Sequence, residues 1–178
     1  MNSNLNFYMI SKKNLILLGM MGVGKTTVGK LLAKKLNLDF YDIDQIIKKE
    51  NNMKINDIFK KKGEVFFRKQ EESITINYLK KNHSVISLGG GAFVNKNIRN
   101  CVLLKAKSFW LTTTIEILKS RIKSNKRRPI INQIGLENIE DLIKKRKKFY
   151  SLANHKIECE KLTINQITDK IIKLYENS

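Results

Sequence analysis

Few folds accommodate the stretch Gly19-Met-Met-Gly22-Val-Gly24-Lys25-Thr26. It follows an apolar run, Leu15 to Leu18, which reads as a buried strand, and it opens into a helical pattern at Lys25. The spacing G-x-x-x-x-G-K-T is that of a phosphate-binding loop. Its glycines let the chain curl around an anion with N–H groups turned inward. The helix behind it adds unpaired N–H groups and the positive end of its dipole. Gly22, Val23, Gly24, Lys25, Thr26 and Thr27 are therefore the expected nucleotide contacts. Lys25 is expected to reach the β- and γ-phosphates, and the Thr26 hydroxyl to ligate Mg²⁺. Val28, Leu31, Leu32 and Leu36 then recur at helical spacing, which gives the helix a face to bury against a sheet. A plain glycine turn would require neither this spacing nor the strand–loop–helix order.

A chain of 178 residues, 42% apolar with one proline and nine glycines, fits one domain over residues 1–178. It has no apolar run of membrane-spanning length, its first residues do not read as a secretory signal, and the start is open between Met1 and Met9. Cys101 and Cys159 match no metal pattern and read as ordinary thiols. The expected location is the cytoplasm. The formal charge of +19 points to anionic partners. The lysines are nevertheless scattered, without the basic stripe and interleaved aromatics of a nucleic-acid surface.

After the first helix, Phe40 to Asp42 reads as a second strand leading into a helix from Gln45 to Glu50. Asp42 and Asp44 then stand beyond the carboxyl end of a strand, where α/β proteins gather their ligands. One can hold a water of hydrated Mg²⁺ and the other can orient a substrate hydroxyl and accept its proton. The alternative is that they cap the following helix. A short helix over Ile55 to Phe59 precedes a break at Gly63 and a long helix from Glu64 to Asn82. Arg68 has Glu71 and Glu72 three and four residues on. They can hold its guanidinium ready for a carboxylate ligand, or form a plain surface pair. A third strand, Val85 to Leu88, runs into Gly89-Gly90-Gly91, a substrate floor or a hinge. No aspartate ends that strand, so a magnesium-binding acid has to come from elsewhere, which strengthens the case for Asp42 and Asp44.

Asn97 to Lys105 reads as a helix, Phe109 to Leu111 as a strand, and Ile115 onward as a helix with Arg121 beside its inner face. Residues 123–136 lose periodicity and collect charge at Arg127 and Arg128 before Pro129. They read as a mobile lid whose arginines close over the transferring phosphoryl group, or as a solvated basic loop. The helix from Glu137 to Leu152 carries Ile139, Ile143, Arg146 and Tyr150 on one stripe. An arginine on an inward face has to snorkel, meet a protein carboxylate, or face an anionic ligand. Lys156 to Cys159 reads as a last strand, and Thr163 caps a closing helix. Five parallel strands covered on both faces follow.

Taken together, the loop at 19–26, Asp42-x-Asp44, Gly63-Glu64-x-x-Phe67-Arg68-x-x-Glu71, Gly89-Gly90-Gly91, Arg128-Pro129 and Arg146-x-x-x-Tyr150 resemble shikimate kinase from about Leu15 to Tyr175. The resemblance implies a P-loop nucleoside-monophosphate-kinase-like three-layer α/β fold. Its sheet order is 2-3-1-4-5, with a substrate-binding region over 42–82 and a lid. It also implies ATP-dependent phosphorylation of the 3-hydroxyl of shikimate with Mg²⁺, in chorismate and aromatic amino acid biosynthesis, by a monomer without nucleic-acid or membrane partners. By the same resemblance Asp44 is the base or orienting group, and Asp42 supports the magnesium hydration shell. Arg68, Arg146 and the triplet Gly89, Gly90 and Gly91 hold the substrate carboxylate. Phe59, Phe67 and Pro129 are similar to the apolar walls, and Arg128 and Arg121 to the arginines near the nucleotide. Asn154 stands where the family often has aspartate. The rival reading in the same fold is a gluconate-type sugar-acid kinase, and in another class a nucleic-acid-stimulated NTPase.

Overall fold

The computed structural model describes residues 13–123, 135 and 137–177. Strand β1 (Asn14–Leu18) is buried at every position. Near-continuous burial belongs to a central strand of a parallel sheet with helices on both faces, since neither side meets water. β1 pairs in parallel with β3 (Ser84–Ser87) on one side and with β4 (Ala106–Thr112) on the other. β2 (Asp39–Asp42) and β5 (His155–Glu158) complete the sheet, in the expected order 2-3-1-4-5. Ile16 faces Ile86, and Leu17 faces Phe109, in the central registers. At the base of the sheet the buried Asn14 accepts from the Ser84 N–H at 3.1 Å and from its hydroxyl at 2.9 Å. That bond satisfies polar groups that burial would otherwise penalise.

The helices are α1 (Lys25–Leu36), α2 (Ile43–Asn51), α3 (Ile55–Leu79), α4 (Lys96–Lys105), α5 (Ile115–Lys123), α6 (Ile139–Tyr150) and α7 (Ile164–Glu176). α3 is one element in outline, but Gly63 at φ 84° and ψ 167° breaks it. The two helices expected from the sequence are both present, meeting at that kink. α7 begins with a full capping box between Thr163 and Gln166, which satisfies two otherwise orphaned N–H groups.

Several boundaries differ from expectation. α2 starts at Ile43 rather than Gln45, because the Asp42 side chain accepts from the Gln45 N–H at 3.2 Å and caps the helix early. Asp44 thus lies in the first helical turn and not on the strand. α3 stops at Leu79 rather than Asn82, and α6 covers 139–150 rather than 137–152. β3 and β5 each sit one residue earlier than read, and β4 extends to seven residues by pairing along the whole of β1. The lid expected over 123–136, with Arg128 and Pro129, lies outside the described residues apart from Lys123 and Gly135. No described helix is long and apolar enough to cross a membrane. Cys101 and Cys159 are free thiols.

Candidate active site

Three neighbouring strands, β2, β3 and β1, end on the same edge of the sheet and release Asp42, the Gly89–Gly91 triplet and the phosphate loop side by side. A parallel sheet does this by construction, since all its carboxyl ends point one way.

The loop has the expected backbone. Gly22 at φ 83° and Gly24 at φ 107° occupy the left-handed region, which side chains disfavour. Lys25 opens α1, is 92% buried, and places its Nζ inside the loop, 2.9 Å from the Gly19 carbonyl and 3.1 Å from that of Met20. Val23 turns its side chain into the core, whereas Thr27 is exposed. Arg121, on α5, reaches the Gly22 and Val23 carbonyls at 3.4 Å, so it stands against the loop.

At the loop's rim the Thr26 hydroxyl donates to Asp42 Oδ2 at 2.6 Å. The other Asp42 oxygen caps α2, so capping that helix leaves the second oxygen at the loop's rim. A hydroxyl beside a carboxylate offers hard oxygens of the kind Mg²⁺ prefers. Among the described residues there is no cluster of three or more His, Cys, Asp or Glu side chains that could cage a metal alone. The site therefore fits an ion that takes most of its ligands from phosphate and water.

The acid cradle is built around Glu71, which is 1% exposed. Arg68 Nη1 donates to Glu71 Oε2 at 2.6 Å, and Arg68 Nε and Nη2 reach Glu64 at 3.2 Å. The partner expected at i+4 is corrected. Glu72 points away and holds Asn95 and Asn97 instead, at 2.6 and 2.7 Å. Burial pushes the Glu71 carboxyl up from its ordinary value, with the Arg68 guanidinium pulling it back and the Asp44 charge adding to the rise. Asp44 is therefore a direct electrostatic neighbour of the cradle.

The glycine triplet touches all of these groups. A Cβ on Gly89 would stand 2.4 Å from Glu71 Oε1 and 2.8 Å from Asp44 Oδ1. One on Gly90 would lie 3.3 Å from the Met21 N–H nitrogen and 3.5 Å from Arg146 Nη1, and one on Gly91 would lie 2.8 Å from Arg68 Nη1. The triplet is a floor against which both arginines and both acids are laid, rather than a hinge. Gly89→Ala is accordingly expected to displace both carboxylates. It should cost about 1–3 kcal/mol of stability and reduce turnover at least about tenfold, as positioning is lost. Thermal melting and steady-state kinetics read the two effects.

Arg146 is 6% exposed on α6, with Nη1 3.8 Å from Met20 Sδ. One turn on, the buried Tyr150 hydroxyl donates to the Gly90 carbonyl, and burial raises its pKa. No ion pair joins Arg146 to a carboxylate among the described residues. Its inward guanidinium lies against Met20 and the Gly90 backbone. Phe59 and Phe67 are buried with ring centroids 4.6 Å apart, and Arg68 lies 5.2 Å from the Phe67 ring. These rings form the apolar wall beside the guanidinium. Asn154 Oδ1 accepts from the Ser108 N–H at 2.9 Å and from its hydroxyl at 2.8 Å, a bond that uses only the oxygen an aspartate would also offer. The pairing of Glu71 with Arg68 was expected, whereas the bond from Tyr150 to Gly90 was not: spacing marks a helix stripe, and nothing local says what the stripe meets.

A sequence profile described as shikimate kinase matches residues 21–176. A shikimate kinase of Sulfurihydrogenibium sp. (strain YO3AOP1) is 40% identical over 160 residues, covering 90% of this chain and 96% of its own. One of Bacillus subtilis (strain 168) is 40% identical over 169 residues, covering 92% and 89%. The solved shikimate kinase of Acinetobacter baumannii, in complex with shikimate, superposes with a TM-score of 0.88 at 32% identity over 93% of each chain.

Proposed function

This chain belongs to the shikimate kinase family and is an ATP-using kinase of shikimate, and we propose that it transfers the γ-phosphoryl group to the 3-hydroxyl through the following division of labour. The observation that carries the reading is the single edge on which the phosphate loop, Asp44 and two arginines converge upon the glycine triplet. The gluconate-type alternative gains no support, since the matched profile and the named relatives are shikimate kinases.

Arg68, fixed by Glu71 and Glu64, and Arg146, fixed by its burial beside Met20 and Gly90, grip the substrate carboxylate with planar guanidinium forks. Phe59 and Phe67 exclude water beside the ring. Asp44 receives the hydroxyl proton as the new P–O bond forms. Lys25 and the loop N–H groups take the negative charge of the transferring phosphoryl group, with Arg121 on the nucleotide side. Thr26 and Asp42 (the latter through water) would hold Mg²⁺, which would supply positive charge to offset the negative charge of the phosphates. Arg128 and Pro129 are assigned to the lid by their place in the motif alone. On this proposal the protein is a cytoplasmic monomer serving two small anions rather than a nucleic acid or a membrane.

Coupled measurement of ADP release with shikimate or gluconate as sole acceptor tests the assignment. Turnover with shikimate is expected, and phosphorylation of gluconate alone would overturn it. Arg146→Ala should raise the KM for shikimate by roughly thirtyfold, the order of a lost buried charge contact of ~2 kcal/mol, with ATP affinity little changed. A loss confined to ATP binding would contradict its placement.

A further inference from the structure

A cavity of about 180 Å³ lies behind the phosphate loop. Met20 and Val23 of the loop, Trp110 of β4, Leu118 of α5, and Ile143 and Tyr150 of α6 form its apolar walls. Asp44, Arg68, Arg146 and the glycine triplet do not line it. Met20 and Tyr150 do, and these same residues touch Arg146 and Gly90 on the cradle side. They are the partition between two compartments.

Lys147 and Lys156 stand at the edge of the cavity, both exposed. Lys156 is tied to Glu158 at 2.6 Å and lies 5.6 Å from the Trp110 ring. Lys147 forms no ion pair among the described residues.

Size and chemistry together define an occupant. An apolar cavity of ~150 Å³ accepts benzene, so this one takes a single six-membered ring with one small substituent. The Trp110 and Tyr150 rings, 5.9 Å apart, favour a planar apolar ring. The two lysines at its edge favour an anionic substituent. Shikimate itself is a poor fit, because three ring hydroxyls would meet walls that leave them unpaired. We propose that this cavity is a second ligand site, distinct from both substrate sites, for a small aromatic carboxylate. Its occupant bears on Met20 and Val23 of the phosphate loop and on Tyr150, the residue that bonds the Gly90 carbonyl, so binding modulates the kinase without displacing either substrate.

Trp110 is the sole tryptophan of the chain, and its emission reads the cavity directly. Benzoate titrated into the full chain should give a saturable change that persists with shikimate and ADP both saturating. Lys147→Ala should weaken it about threefold, as for an exposed charge contact. Ile143→Phe, checked for folding by its melting curve, should abolish it by filling the space. No saturable change, loss of the change when shikimate or ADP is added, or an unaltered response in folded Ile143→Phe would each overturn the proposal. Because the readout needs no turnover, failure here leaves the kinase assignment standing.

Discussion

Asp44→Asn is expected to leave the fold intact and to lower turnover by roughly 10²–10⁴-fold, the range for loss of a positioned general base. The amide keeps the shape of the carboxylate and keeps an oxygen, so the packing against Gly89 survives. What it lacks is the capacity to take a proton and the charge that orients the hydroxyl. The change also removes a negative neighbour from Glu71, whose carboxyl is raised in part by Asp44. Glu71 should therefore ionise more readily in the variant, and its grip on Arg68 should hold or tighten. Shikimate binding is then expected to stay within a few-fold of the parent, and the loss should fall on kcat. Binding measured by calorimetry, turnover by ADP release and folding by thermal melting separate these outcomes. Near-parental turnover would show that the proton leaves by another route.

Lys25→Met carries the second large effect, a fall in turnover of roughly 10²–10³-fold. The ammonium is held between the Gly19 and Met20 carbonyls at the mouth of the loop. Methionine fills the same volume there and supplies no charge to the phosphoryl group. The two carbonyls also lose a donor, which should cost about 1 kcal/mol of stability. Because the loop N–H groups remain, nucleotide binding should weaken less than turnover does. An equal loss in both would mean that Lys25 grips the ground state as firmly as the transition state.

Much of this site was legible beforehand because its residues break local rules. Three consecutive glycines after a strand serve no strand or helix, and the structure spends them on Glu71, Asp44, Arg146 and Arg68. Arg146 interrupts an apolar stripe, and that is a signal because burying an arginine is expensive unless something anionic meets it. Arg68 was identified with only one of its partners. Helical spacing allows Glu64, Glu71 and Glu72 equally, and packing alone turned Glu72 toward Asn95 and Asn97. The early start of α2 has the same origin. Propensity leaves its first turn undecided, and the Asp42 cap, itself held by Thr26 from another element, settles it.

The sequence by itself determined the element order, the parallel sheet and the phosphate loop. These depend on periodicity and glycine spacing, which are properties of neighbours along the chain. Tertiary structure alone decided that Glu71 is buried, that Glu72 turns to Asn95 and Asn97, and that Tyr150 bonds Gly90. Each of these depends on what another element brings against the side chain, and that is fixed only when the elements pack.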